Sequence, residues 1–139
     1  MIRIGKLTDY AVVVLAHLVR AEGNLTARQL AELAEIPQPT VGKVLKALTR
    51  EGILTSVRGL RGGYGLARSA DQILVGEVIE ALEGPISLTD CANTDHPHPC
   101  GRVERCPVPR PWGEINRVVR KALMEMNIEQ MCREEAPSP

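Results

Sequence analysis

The sequence contains no phenylalanine, and its aromatic side chains are limited to Tyr10, Tyr64 and Trp112. A core without large rings must be assembled from Leu, Val, Ile and Ala. No apolar run approaches the ~20 residues needed to cross a bilayer, so no membrane-spanning segment is read. The first residues, MIRIGKLTDY, lack the basic-then-apolar order of a secretory signal, and a cytoplasmic chain is expected. The marks of an enzyme are missing too. No nucleophile–base pair stands out, and the glycine-rich GLRGGYG does not open a helix as a phosphate-cradling loop would. Net charge is also absent, with 17 Lys and Arg against 17 Asp and Glu.

The residues present are unevenly distributed. At 139 residues the chain is about one domain, able to bury a core with little to spare. Residues 1–68 carry ten Lys or Arg against five Asp or Glu, leaving seven against twelve for residues 69–139. A basic half joined to an acidic half fits a polyanion-binding domain with a separate control or assembly element.

Hydrophobic periodicity makes the basic half specific. Ala11, Val14, Leu15 and Leu18 recur at helical spacing between Leu7 and Ala21. Thr26-Ala27-Arg28-Gln29 reads as a capping box opening a short helix through Ala34. Ile36-Pro37-Gln38-Pro39 is a tight turn, after which a helix runs to about Arg50 with Val41, Val44, Leu45 and Leu48 on its buried face. Gly52 closes it. Ile53 to Val57 reads as a strand returning at Leu66-Ala67, with residues 58–65 as a glycine-rich hairpin tip.

Three helices and then a basic hairpin is the layout of a winged helix-turn-helix, and double-stranded DNA is the partner such a layout takes. The third helix presents Gln38, Thr40, Lys43 and Lys46 to the major groove, where its first turns face base edges and phosphates. Lys43, Lys46 and Arg50 form one cationic stripe. Arg58 and Arg61 at the wing tip are placed to reach phosphates or a narrow minor groove.

The acidic half reads as a short helix over 73–82, ended by Gly84-Pro85, and a longer one opened by Pro111-Trp112. The longer helix carries Ile115, Val118, Val119, Ala122, Leu123 and Met126 as a continuous apolar stripe. One small domain has little use for it, so a homodimer reading a pseudo-palindromic operator is expected. The fold class is therefore mainly α: a winged helix-turn-helix DNA-binding domain over 1–68, a connecting helix over 69–90, a cysteine loop over 91–110, a dimerisation helix over 111–131 and a disordered tail over 132–139.

The loop CANTDHPHPCGRVERCPVP holds three of the four cysteines, two of the three histidines and four of the ten prolines. Eight residues separate Cys91 from Cys100 and five separate Cys100 from Cys106. Reduced thiols in the cytoplasm point to metal chemistry before disulfides, and thiolates are soft ligands for zinc or iron–sulfur clusters. Three thiolates leave a tetrahedral site or a cubane one ligand short, and His96, His98, Cys132 or a group from elsewhere could complete it.

LTDYAVVVLAHL, the wing segment SVRGLRGGYGLAR, ILVGEVIEALEGP and the cysteine loop leading into a Trp-containing helix resemble the IscR/NsrR/CymR family of bacterial regulators (the Rrf-two family) over nearly the whole chain. KLTDYAVVVLAHL with EALEGPISLTDC looks most like the branch regulating SUF-type cluster-assembly genes. The resemblance implies a homodimeric transcription regulator, a repressor, whose DNA binding depends on an iron–sulfur cluster held by Cys91, Cys100 and Cys106. The IscR pattern places a histidine three residues after the third cysteine, where this chain has Pro109. The NsrR pattern instead uses an aspartate near the start of the first helix, supplied by the other subunit. Asp9 matches that place. Both a 2Fe–2S and a 4Fe–4S cluster remain open, as do a nitric-oxide-responsive repressor and, from another class, a zinc-stapled winged-helix module that binds a protein partner.

Overall fold

A computed structural model describes residues 1–93 and 100–133. Three helices, α1 (Lys6–Arg20), α2 (Ala27–Ala34) and α3 (Gln38–Arg50), precede an antiparallel hairpin of β1 (Leu54–Val57) and β2 (Gly63–Leu66). A 3-10 turn at Ala70–Gln72 leads to α4 (Val75–Glu83), a second at Asp90–Ala92 precedes α5 (Pro109–Glu125), and α6 (Ile128–Cys132) follows. The architecture is mainly helical with one small sheet, as expected. No helix of the described residues is long and apolar enough to cross a membrane.

The core is aliphatic. Val14, Leu15, Leu30, Val41, Val44, Leu45 and Leu48 from the three N-terminal helices are sealed from solvent, together with Ile53, Ile73, Val78 and Ile128. Burial of each such side chain stabilises by roughly 1.5–3 kcal/mol relative to leaving it exposed. The α2 N-terminus is fixed by the expected capping box: Thr26 Oγ1 accepts from Gln29 N at 3.1 Å and Gln29 Oε1 accepts from Thr26 N at 2.8 Å. Glu35, left-handed at φ 56°, turns the chain so that buried Ile36 closes onto Ala31 O at 3.2 Å before α3 begins.

The hairpin register pairs Leu54 with Leu66 and Val57 with Gly63. Its second strand is also bridged to Leu25, two residues before α2, with Leu25 N donating to Tyr64 O at 3.0 Å and Tyr64 N to Leu25 O at 2.7 Å. That approach requires glycine at 63, where φ is +129° and a β-carbon would lie 2.6 Å from Leu25 O. The wing root is therefore held to the helix-turn-helix on two sides.

The C-terminal half departs from the expected single helix over 111–131. The chain leaves helix at Met126, which is extended, and Asn127 caps α6 by accepting from Gln130 N at 2.8 Å. The break lets the backbone pair across to the entry of α4: Val75 N donates to Met126 O at 2.8 Å and Ile128 N to Ile73 O at 2.9 Å. Those bonds, and the complete burial of Ile128, outweigh continued helix. Cys132 belongs to α6 and packs against the core, which corrects its placement in a disordered tail; residues 134–139 lie outside the described residues.

Candidate functional site

On α3 the buried row Val41, Val44, Leu45 and Leu48 faces inward, so the opposite side is turned to solvent. Gln38, Lys43 and Lys46 are exposed there, and Thr40 is half-buried in the first turn. Arg50 also lies on that side, but its Nε is 3.6 Å from Glu51 Oε1, so the stripe is partly neutralised at its far end. Arg58 and Arg61 are exposed at the wing tip. Among the described residues none of Lys43, Lys46, Arg58 and Arg61 is held in an ion pair. Arg68, further along the hairpin, is used differently: it donates to Gln72 O at 2.9 Å and pairs with Glu77, whose Oε2 accepts from Leu74 N at 2.9 Å. Lys43 and Lys46 on α3 and Arg58 and Arg61 on the wing thus carry unneutralised charge suited to a polyanion.

The cysteine loop is fixed to the protein by a residue that pattern reading passed over. Asn116 is the buried polar side chain of α5: its Oδ1 accepts from Leu88 N at 2.8 Å and its Nδ2 donates to Ile86 O at 3.0 Å. Both bonds go to backbone, so the 86–88 segment is laid along α5 whatever its side chains. The signal was one amide interrupting an apolar stripe, directly after Ile115. The anchored segment delivers Cys91 into the 3-10 turn that packs against α5, with Thr89 Oγ1 3.2 Å from Cys91 Sγ.

Cys91, Cys100 and Cys106 are each half-buried, and none is in a disulfide. Among the described residues no three His, Cys, Asp or Glu side chains are gathered closely enough to hold an ion, and His96 and His98 lie outside those residues. The donor set still suits an iron–sulfur cluster: the three thiols are unpaired, and the Thr89 hydroxyl stands ready to donate to the Cys91 sulfur. Cys132 stands apart from them, where burial pushes its thiol up and Arg20 partly counters the shift.

Asp9 is exposed in the first turn of α1. Its neighbour Thr8 is the buried one, donating to Glu83 Oε2 at 2.8 Å, while Gly5 N donates to Glu83 Oε1 at 3.2 Å. Asp9 borders a groove of about 700 Å³ floored by Val75, Ile79, Leu123 and Met126. That groove lies toward the C-terminal end of α5, and among the described residues one chain does not gather Asp9 with the cysteines.

The family model for iron-dependent transcriptional regulators, Rrf2, matches residues 4–134. This chain belongs to the Rrf2 family. It is a DNA-binding transcriptional regulator and not an enzyme. Protein rrf2 of Nitratidesulfovibrio vulgaris is 28% identical over 120 residues, covering 86% of this chain and 78% of that protein. Among solved structures, CymR of B. subtilis, described as its global cysteine regulator, superposes with a TM-score of 0.71 at 24% identity over 95% of this chain and 97% of that one. IscR of T. potens does so with a TM-score of 0.69 at 23% identity, over 94% and 85%. At such identities these two structures establish the winged-helix fold of the Rrf2 chain and nothing finer.

Proposed function

We propose that this Rrf2 regulator is a cytoplasmic homodimer that represses SUF-type cluster-assembly genes according to the state of a bound iron–sulfur cluster. The observation that carries the reading is the set of three unpaired, half-buried thiols around an arm that Asn116 fastens to α5. Cys91, Cys100 and Cys106 would hold the cluster, and ligation would tie the three thiols, eight and five residues apart, to one centre. When bound, the cluster supplies a redox- and iron-sensitive centre. This chain's own residues do the rest: Thr89 stabilises the Cys91 sulfur, and α5 carries the loop's position to the body of the fold.

The second copy follows from what α5 leaves uncovered. Trp112, Ile115 and Val118 are exposed, between 42% and 57%, on a helix whose single buried residue is Asn116. An apolar face of that length is the usual mark of an interface. Its burial against a two-fold copy would set two α3 helices facing successive major grooves of a pseudo-palindromic operator. Asp9, beside the groove at the C-terminal end of α5, is the residue we assign as the fourth ligand, given by the partner subunit. As a harder ligand than thiolate it would make the site labile, and a nitric-oxide-responsive repressor is the second reading that such a labile site favours.

The test is Mössbauer spectroscopy and iron and sulfide content of anaerobically purified protein. Loss of cluster absorbance in Cys91→Ala, Cys100→Ala and Cys106→Ala, and an altered spectrum in Asp9→Ala, are expected. Stoichiometric zinc in colourless wild-type protein would replace this reading with a zinc-stapled module. A normal spectrum in Asp9→Ala, with loss in His96→Ala or His98→Ala, would move the fourth position into the loop.

A further inference from the structure

Leu60 is the apex of the wing, and its side chain is wholly exposed. The backbone beneath it is not free to fold the side chain away. Gly62 N donates to Gly59 O at 2.9 Å, Gly59 sits at φ +108°, and a β-carbon at Gly62 would collide with the Val57 carbonyl. The tip is thus a tight turn that glycines permit, standing on a root clamped by the Leu25–Tyr64 bridge. A leucine at such a position buries nothing in the chain. It is flanked by Arg58 and Arg61, both exposed and outside any ion pair among the described residues.

We propose that Leu60 is an apolar minor-groove contact that contributes to sequence choice. The wing enters the minor groove beside the half-site, Arg58 and Arg61 lie against its phosphate walls, and the Leu60 isobutyl group presses on the base edges at the groove floor. The charge pattern selects the occupant. One apolar group between two cations matches a narrow groove with anionic phosphate rims and stacked base steps that an apolar side chain can wedge apart, whereas a protein surface would not require both cations. Inserted apolar side chains of this kind partly unstack the step they touch, which is easiest at flexible pyrimidine–purine steps. Leu60 therefore reads deformability at bases that α3 does not reach. This rests on the DNA-binding reading of the wing.

The full-length protein, in its native loaded form, is first used to enrich duplexes from a random pool, and the enriched site is resynthesised with 2-aminopurine at the flanking step. Wild-type protein is expected to raise the fluorescence of that base and to favour pyrimidine–purine steps there. Leu60→Ala should abolish the rise, flatten the flank preference and weaken binding about tenfold, the order expected for one leucine's buried surface. Its salt dependence should stay that of wild type, because no charge is lost, and Leu60→Met should restore the signal. Wild-type fluorescence and flank preference in Leu60→Ala would overturn the proposal. Failure of wild-type protein to enrich any sequence would overturn it together with the DNA-binding reading, and is told apart by that failure.

Discussion

Lys43 and Lys46 are exposed, outside any ion pair among the described residues, and opposite the buried row of α3. We propose that they meet DNA phosphates. Removing either lysine's grip on a phosphate should flatten the slope of log affinity against log salt by ~1 per subunit, measured by competition binding of Lys43→Ala and Lys46→Ala at several salt concentrations. Asn116 has the opposite character, since it is invisible from outside and fixes the first arm of the loop. Asn116→Leu should cost roughly 1–3 kcal/mol for each backbone group left unpaired, read by urea denaturation, and should reduce cluster occupancy while α3 stays folded. Cys132 is the thiol to leave out of the site. Burial raises its pKa above the unfolded value, so its contribution to stability is complete below the unfolded pKa and fades as pH rises through the higher folded one. Its alkylation in native protein should lag that of unfolded protein until strongly alkaline pH, and Cys132→Ala should leave the cluster absorbance unchanged.

Among the elements, α5 is the one that a single copy leaves exposed. Val118→Glu should convert a dimer to a monomer in analytical ultracentrifugation with little change in the melting temperature of the subunit, since Val118 is 57% exposed. The N-terminal elements were legible in the sequence because each is signalled locally: the Thr26–Gln29 box, the Pro37-Gln38-Pro39 turn, and the glycines around the wing. The break between α5 and α6 was not, although Asn127-Ile128-Glu129-Gln130 has the same capping form as Thr26-Ala27-Arg28-Gln29. Helical periodicity through Met126 hid it. What decides the break is a backbone pairing with Ile73 and Val75, some fifty residues earlier, which no local pattern carries. Asn116 escaped for a related reason: its partners are main-chain atoms at 86 and 88, and backbone leaves no residue signature.

Across the molecule, the family and the fold were carried by long segments, whereas the site joins parts that no single segment contains. The cysteine loop packs on α5, α5 packs on α4, α4 holds the N-terminus of α1 through Glu83, and α1 and α4 both pack on α3. If the loop is ligated as proposed, a change there would have a continuous packed route to α3, and a dimer would double its effect on the spacing of two such helices. Cluster state would then set DNA affinity. The decisive experiment takes one anaerobic preparation and measures its affinity for the enriched duplex before and after the iron is removed by chelation. We predict a fall of at least about tenfold on removal, a coupling of ~1.4 kcal/mol, regained when iron and sulfide are restored. Equal affinity in the loaded and stripped forms, at the same oligomeric state, would refute that dependence.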